Sequence, residues 1–164
     1  MIFFREGEHH IGKAFTPSIE DIARRLAHIN RYNGDVGTYS VAQHCVLVAL
    51  MVPPVHRLAA LLHDACEAYI GDMTSPVKGH VSGFQELEDF YLDVIDRHYR
   101  VVTRHPIIKE ADLRMLVTEV KSFGRDVSCY PKAEPYNMLV DTWSPDLAMA
   151  NFLKTFETYH HVIR

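Results

Sequence analysis

The 164-residue chain has no block of basic residues, and its formal net charge is −4. That argues against broad electrostatic binding along duplex nucleic acid, while leaving room for a local basic pocket that holds phosphate. Cysteine is scarce: Cys45, Cys66 and Cys129 are odd in number and show no CxxC spacing. Reduced thiols in a cytoplasmic protein are the expectation, not a disulfide framework. No apolar run approaches the ~20 residues of a membrane span. The start, MIFFREGEHHIGK, lacks the charge, long apolar core and small-residue cleavage site of a signal peptide. Internal repeats, low-complexity tracts and linker-like shifts in composition are also missing, so one domain over residues 1–164 is expected.

Apolar residues make up 48% and charged residues 23% of the chain, the balance of a globular domain with a sizeable core. The patterning is helical nearly throughout. Residues 1–15 read as a short extended segment or hairpin. TPSIEDIARRLAHINRY then offers Thr16 or Ser18 as a cap, Glu20 and Asp21 in a first turn, and one stripe of Ile19, Ile22, Ala23, Leu26 and Ile29. Ser40 with Gln43 three residues later is a capping-box pattern opening a second helix, which Pro53-Pro54 end. VHRLAALLHDACEAYI reads as one continuous third helix stopped near Gly71. SGFQELEDFYLDVIDRHYR is a fourth, and a fifth starts at Pro106. The last starts at Ser144-Pro145 and runs to the C-terminus, after an irregular stretch over 125–143. The expected fold is all-α, a bundle of about six helices.

Histidine is abundant, with eleven residues. Those beside acids at helical spacing are informative. His44 falls in the first turn of the second helix, and His63 and Asp64 fall in the third. Asp112 has Ile108, Met115 and Leu116 as helical neighbours and so points to an apolar face, where a lone carboxylate is costly unless it is paired or bound to a metal. Glu110 and Glu119 are nearby alternatives to it. Two imidazoles and two carboxylates suit a first-row divalent metal such as Zn, Co, Mn or Fe. Adjacent helical residues diverge by about 100°, so His63 and Asp64 share an ion only at the helix edge. Glu67 follows on the same face, Asp72 closes the next turn, and the loop GDMTSPVK offers Lys78 for phosphate. Cys45 and Cys66 read as small core residues, and Arg31 as a cation near a helix C-terminus.

The ordered set His…His-Asp…Asp on successive helices resembles the HD-domain phosphohydrolase superfamily. The motifs INRY, YSVAQH, HDACEAYIGDMTSPVK and IKEAD resemble the bacterial HD-domain 5′-deoxynucleotidases, and still more the compact phage-type HD proteins, some of which are dATP triphosphohydrolases. The resemblance covers roughly residues 15–124. It implies that His44, His63, Asp64 and Asp112 are metal ligands and that Glu67 is the catalytic acid. Asp72 would be a second catalytic acid, helping an additional Mg on the phosphates. Arg31 would contact phosphate or sugar, Tyr32 would stack on the base, and Lys78 would face phosphate. Only 18 residues separate His44 from His63, far fewer than in the bacterial deoxynucleotidases, which favours the compact form. The expected reaction is attack of metal-bound hydroxide on the α-phosphorus of a deoxynucleoside triphosphate, dATP favoured, giving deoxynucleoside and triphosphate. A 5′-deoxynucleotidase on monophosphates and a catalytically silent nucleotide-binding sensor are the alternatives. The expected partners are a small-molecule nucleotide and further copies of the chain in a homo-oligomer, with no duplex nucleic acid and no membrane.

Overall fold

The structure, a computed structural model, describes residues 15–128, 130, 132–161 and 13, together with the backbone of 2–4 and 7–9. Cys129 and the predicted end of the last helix at 162–164 lie outside the described residues. Near the N-terminus, β1 (Ile2–Phe4) pairs antiparallel with β2 (Gly7–His9), in the register Ile2 to His9. All other regular structure among the described residues is helical.

Short side chains set the helix starts. Ser18 caps α1 (Ile19–His28) by accepting the Asp21 N–H at 3.3 Å, and the helix buries Ile22, Ala23, Leu26 and Ala27. Ser40 caps α2 (Val41–Met51) by accepting the Gln43 N–H at 3.2 Å. The expected reciprocal bond of a capping box does not form. The Gln43 side chain reaches across instead to the Asp141 carbonyl at 2.5 Å and the Trp143 N–H at 2.8 Å. Residues 41–49 of α2 are all buried, so this helix is wet only at its C-terminal end and forms the centre of the bundle. It packs on α1, α3 (Arg57–Leu61), α7 (Pro106–Ser122) and α8 (Pro145–His160). α6 (Phe84–Tyr99) adds Tyr91, Leu92 and Ile95 to the same core. The irregular stretch 125–143 is fastened along α7, where Thr118 and Ser122 hydroxyls accept the N–H groups of Tyr136 (2.8 Å) and Val140 (3.0 Å). Among the described residues no helix is long and apolar enough to cross a membrane.

The expected continuous third helix is broken. A 3-10 turn at Pro54–His56 leads into α3, which ends at Leu61, and helix resumes as the single turn α4 (Glu67–Ile70). An α-helix running on would give the Ala60 carbonyl to the Asp64 N–H. The His63 ring takes that carbonyl through Nδ1 at 2.7 Å. Hydrogen bonds then tighten to a three-residue step, Ala65 to Leu62 and Glu67 to Asp64, both at 3.0 Å. The presumed loop around Lys78 likewise contains a helical turn, α5 (Ser75–Lys78), entered at Pro76.

Candidate metal centre

His44 sits in the first turn of α2 and is completely buried, while His63 and Asp64 sit in the break between α3 and α4, and Asp112 sits on α7. The tight turn at the break brings the adjacent side chains of His63 and Asp64 to one side, with Nε2 and Oδ2 3.3 Å apart. His44 Nε2 lies 3.7 Å from Asp64 Oδ2 and 3.3 Å from Asp112 Oδ1, and His63 Nε2 lies 4.0 Å from Asp112 Oδ1. Donors about 2.0–2.2 Å from a tetrahedral ion are themselves about 3.4 Å apart, so the spacing fits a first-row divalent metal. Both Nδ1 atoms are already engaged, His63 with the Ala60 carbonyl and His44 with Glu119 Oε1 at 2.5 Å. Both Nε2 atoms are buried without a hydrogen-bond partner. Two unsatisfied imidazole nitrogens facing two carboxylates form the donor set such an ion requires. Cys45 forms a second group with His63 and Asp64. Burial and the charges of Asp64 and Glu67 push its thiol up, which keeps it protonated and a poor ligand.

The neighbouring charges follow from burial. Burial, then Asp64 and Asp72, push the Glu67 carboxyl well above the usual range, and its Oε2 has no partner. Asp72 is half-buried and also raised, mainly by burial. Burial opposes the charge on Asp112, but His44 at 3.3 Å and the charge of His63 outweigh it and hold the carboxyl below its ordinary value. Burial and Arg31 disfavour the His44 imidazolium, but Glu119 and Asp112 raise it to about 9 in the metal-free protein. Arg31, largely buried, lies 3.7 Å from Asp64 Oδ2 and 3.3 Å from Glu119 Oε2. Tyr32 has a left-handed backbone, φ 55°, and donates its hydroxyl to Glu119 Oε2 at 2.6 Å. Its ring stacks beside Tyr39 and meets the edge of Phe123. Lys78 lies 2.6 Å from Glu88 and 3.8 Å from Glu67.

The structure therefore brings His44, His63, Asp64 and Asp112 together, with Arg31 against Asp64 and Lys78 against Glu67. Tyr32 is turned toward Glu119. Glu110 is exposed. Glu119, an alternative to Asp112 in the sequence, is completely buried and touches the site through His44 Nδ1. Tyr39 joins the same carboxylate at 2.7 Å; its contribution had no sequence signal beyond an apolar setting.

Fold and site together define an all-α protein with a partly buried His/Asp cluster that could hold a metal ion. No family model matches the chain. It is 35% identical over 148 residues to the uncharacterized protein YfdR of Escherichia coli K12, covering 84% of this chain and 82% of that one. The chain belongs to the family of that protein. It is also 45% identical over 82 residues to the uncharacterized protein RCAP_rcc00048 of Rhodobacter capsulatus, covering 43% of this chain and 42% of the relative.

Proposed function

We propose that the chain is a metal-dependent phosphohydrolase of the HD class, hydrolysing deoxynucleoside triphosphates, dATP favoured, to deoxynucleoside and triphosphate. The observation that carries this reading is the pair of buried, unpartnered Nε2 atoms of His44 and His63 facing Asp64 and Asp112. A divalent ion held by these four residues supplies Lewis acidity toward a phosphoryl oxygen and an acidified water at neutral pH. Glu67 keeps a proton because it is buried among acids, and it delivers that proton to the leaving group. In the reaction the water oxygen bonds to the α-phosphorus, the bond from the α-phosphorus to the 5′-oxygen breaks, and the 5′-oxygen takes the Glu67 proton. The proton shed by the water restores the Glu67 acid. Arg31 and Lys78 face the phosphates, Tyr32 the base, and Asp72 an additional Mg on the phosphates.

A 5′-deoxynucleotidase acting on monophosphates is the second reading, and one observation favours it. Arg31, Lys78 and the exposed Lys109 each already face a carboxylate, Lys109 at 3.1 Å from Asp112. A triphosphate tail needs more positive charge than a single phosphate, and Mg would have to supply it. Product analysis across dNTPs, NTPs and dNMPs with Mn, Co or Mg decides between them. Triphosphate and deoxynucleoside are the expected products; release of phosphate or pyrophosphate from dNTPs overturns the mechanism, and a clean preference for dNMPs selects the second reading. Nucleotide binding with no turnover at all would identify a sensor. The same reading has a cytoplasmic homo-oligomer, which light scattering on the purified protein checks.

A further inference from the structure

Glu119 lies two helical turns beyond Asp112 on α7 and is completely buried. Its two oxygens accept from three donors and form an ion pair with Arg31. His44 Nδ1 (2.5 Å) and the Tyr39 hydroxyl (2.7 Å) meet Oε1, and the Tyr32 hydroxyl (2.6 Å) and the Arg31 guanidinium (3.3 Å) meet Oε2. A buried carboxylate is expensive to desolvate, and packing alone would be served as well by an apolar side chain. We infer that Glu119 is a positioning residue for the metal site: it keeps a proton of His44 on Nδ1, so that a metal beside His63, Asp64 and Asp112 is met by the Nε2 lone pair. The inference rests on the metal-site reading above and extends it to a residue outside the ligand set.

The reasoning is that only an unprotonated imidazole nitrogen binds a metal, and the hydrogen bond made by the other nitrogen decides which one that is. The two histidines are fixed differently. His63 donates to a neutral backbone carbonyl, Ala60 O at 2.7 Å, whereas His44 donates to a carboxylate. His44 is fully buried, so water is poorly placed to replace Glu119. Through Oε2 the same carboxylate also holds Arg31, which reaches the ligand oxygen Asp64 Oδ2 at 3.7 Å. One side chain thereby steadies ligands contributed by α2 and by the α3–α4 break.

The test is metal affinity, measured for Zn and Co by competition with a chromophoric chelator at neutral pH, in the wild type and in Glu119→Gln. The amide keeps the shape and the hydrogen-bonding oxygen but loses the charge. The expected result is a loss of about 10–100-fold in affinity with the circular dichroism of the fold retained. An unchanged affinity overturns the inference, as does a wild type that binds neither metal. If Glu119→Gln does not fold, the wild type itself is decisive through nuclear magnetic resonance of isotope-labelled histidine in the Zn-loaded protein. His44 should carry a slowly exchanging proton on Nδ1 and be ligated through Nε2; ligation through Nδ1, or a freely exchanging Nδ1 proton, overturns the inference. Neither readout uses nucleotide hydrolysis, so an inactive protein would sink the proposed reaction and leave this inference standing.

Discussion

Glu67 is the residue on which the proposed chemistry turns. It is 4% exposed, one of its oxygens has no partner, and burial among Asp64 and Asp72 raises its carboxyl well above the ordinary value of 4.5. A carboxyl with a raised pKa in the fold is a proton donor at pH values where a free glutamate is not. Glu67→Gln should therefore lower kcat by about 10²–10⁴-fold, with KM and melting temperature little changed because the amide is isosteric; steady-state kinetics beside thermal denaturation checks this. In the wild type, kcat should fall as pH rises through the raised pKa. A rate unaffected by the substitution would remove Glu67 from the mechanism and favour a sensor.

At the scale of elements, α2 is the part that everything else is hung on. Its N-terminal cap Ser40 and its first-turn His44 are four residues apart, so disorder at Ser40 reaches His44 directly. Ser40→Ala removes the side-chain acceptor of the Gln43 N–H and should cost about 1 kcal/mol, read as a lower melting temperature in denaturation. Gln43 performs a different task, tying the stretch 125–143 to the helix by two hydrogen bonds from a buried side chain. Gln43→Ala should destabilise the protein by about 1–3 kcal/mol and make residues 125–143 cleave faster in limited proteolysis; cleavage unchanged from wild type would mean that the Thr118 and Ser122 contacts hold the segment alone. The turn carrying Arg31 and Tyr32 is held differently, by backbone bonds from Arg31 N to Tyr39 O at 2.8 Å and from Val41 N to Ile29 O at 2.9 Å. Those bonds and the Tyr32–Glu119 contact offset the left-handed φ of 55° at Tyr32, a conformation that disfavours any side chain.

The whole molecule should show the buried cluster in its pH dependence. Glu119 is held down to about 2 from 4.5, because Arg31, His44 and Tyr32 outweigh its burial. A depressed carboxyl contributes stability that is present above pH 4.5 and lost as pH falls through about 2. His44 is raised from 6.5 to about 9, so its contribution is present below 6.5 and lost as pH rises through about 9. Glu67, also raised, loses its contribution in the same direction. The metal-free protein should thus have its highest melting temperature in a window close to pH 4.5, because Glu67 starts to lose its contribution above that value and Glu119 below it, measured by calorimetry in the presence of a chelator. Adding Zn or Co should raise the melting temperature above that window, because the metal takes the deprotonated imidazole.

Much of the architecture is local and so was legible in the chain itself. Ser18, Ser40 and Ser144 cap helices with their own hydroxyls, Pro106 begins α7, and Pro53 follows the end of α2. These features depend on residues within a few positions of each other. The pattern of His44, His63, Asp64 and Asp112 was also readable, as a set of metal-philic side chains on apolar segments, though their approach to 3.3–4.0 Å was not. The break at His63-Asp64 could not be read, because residues 58–70 keep a helical apolar pattern through it. It depends on the His63 ring taking the Ala60 carbonyl that the next helical turn would have used. Glu119 was equally opaque. A glutamate near the end of an apolar helix has no local sign of purpose, and its four partners come from residues 31, 32, 39 and 44, some 75 to 88 positions away. Sequence by itself determined most helix starts and the kinds of donor, since propensity and capping act over single turns. Only tertiary structure decided which carboxylate faces the ring nitrogens and which supports them from behind, since that choice rests on desolvation and on partners that meet only when the bundle closes.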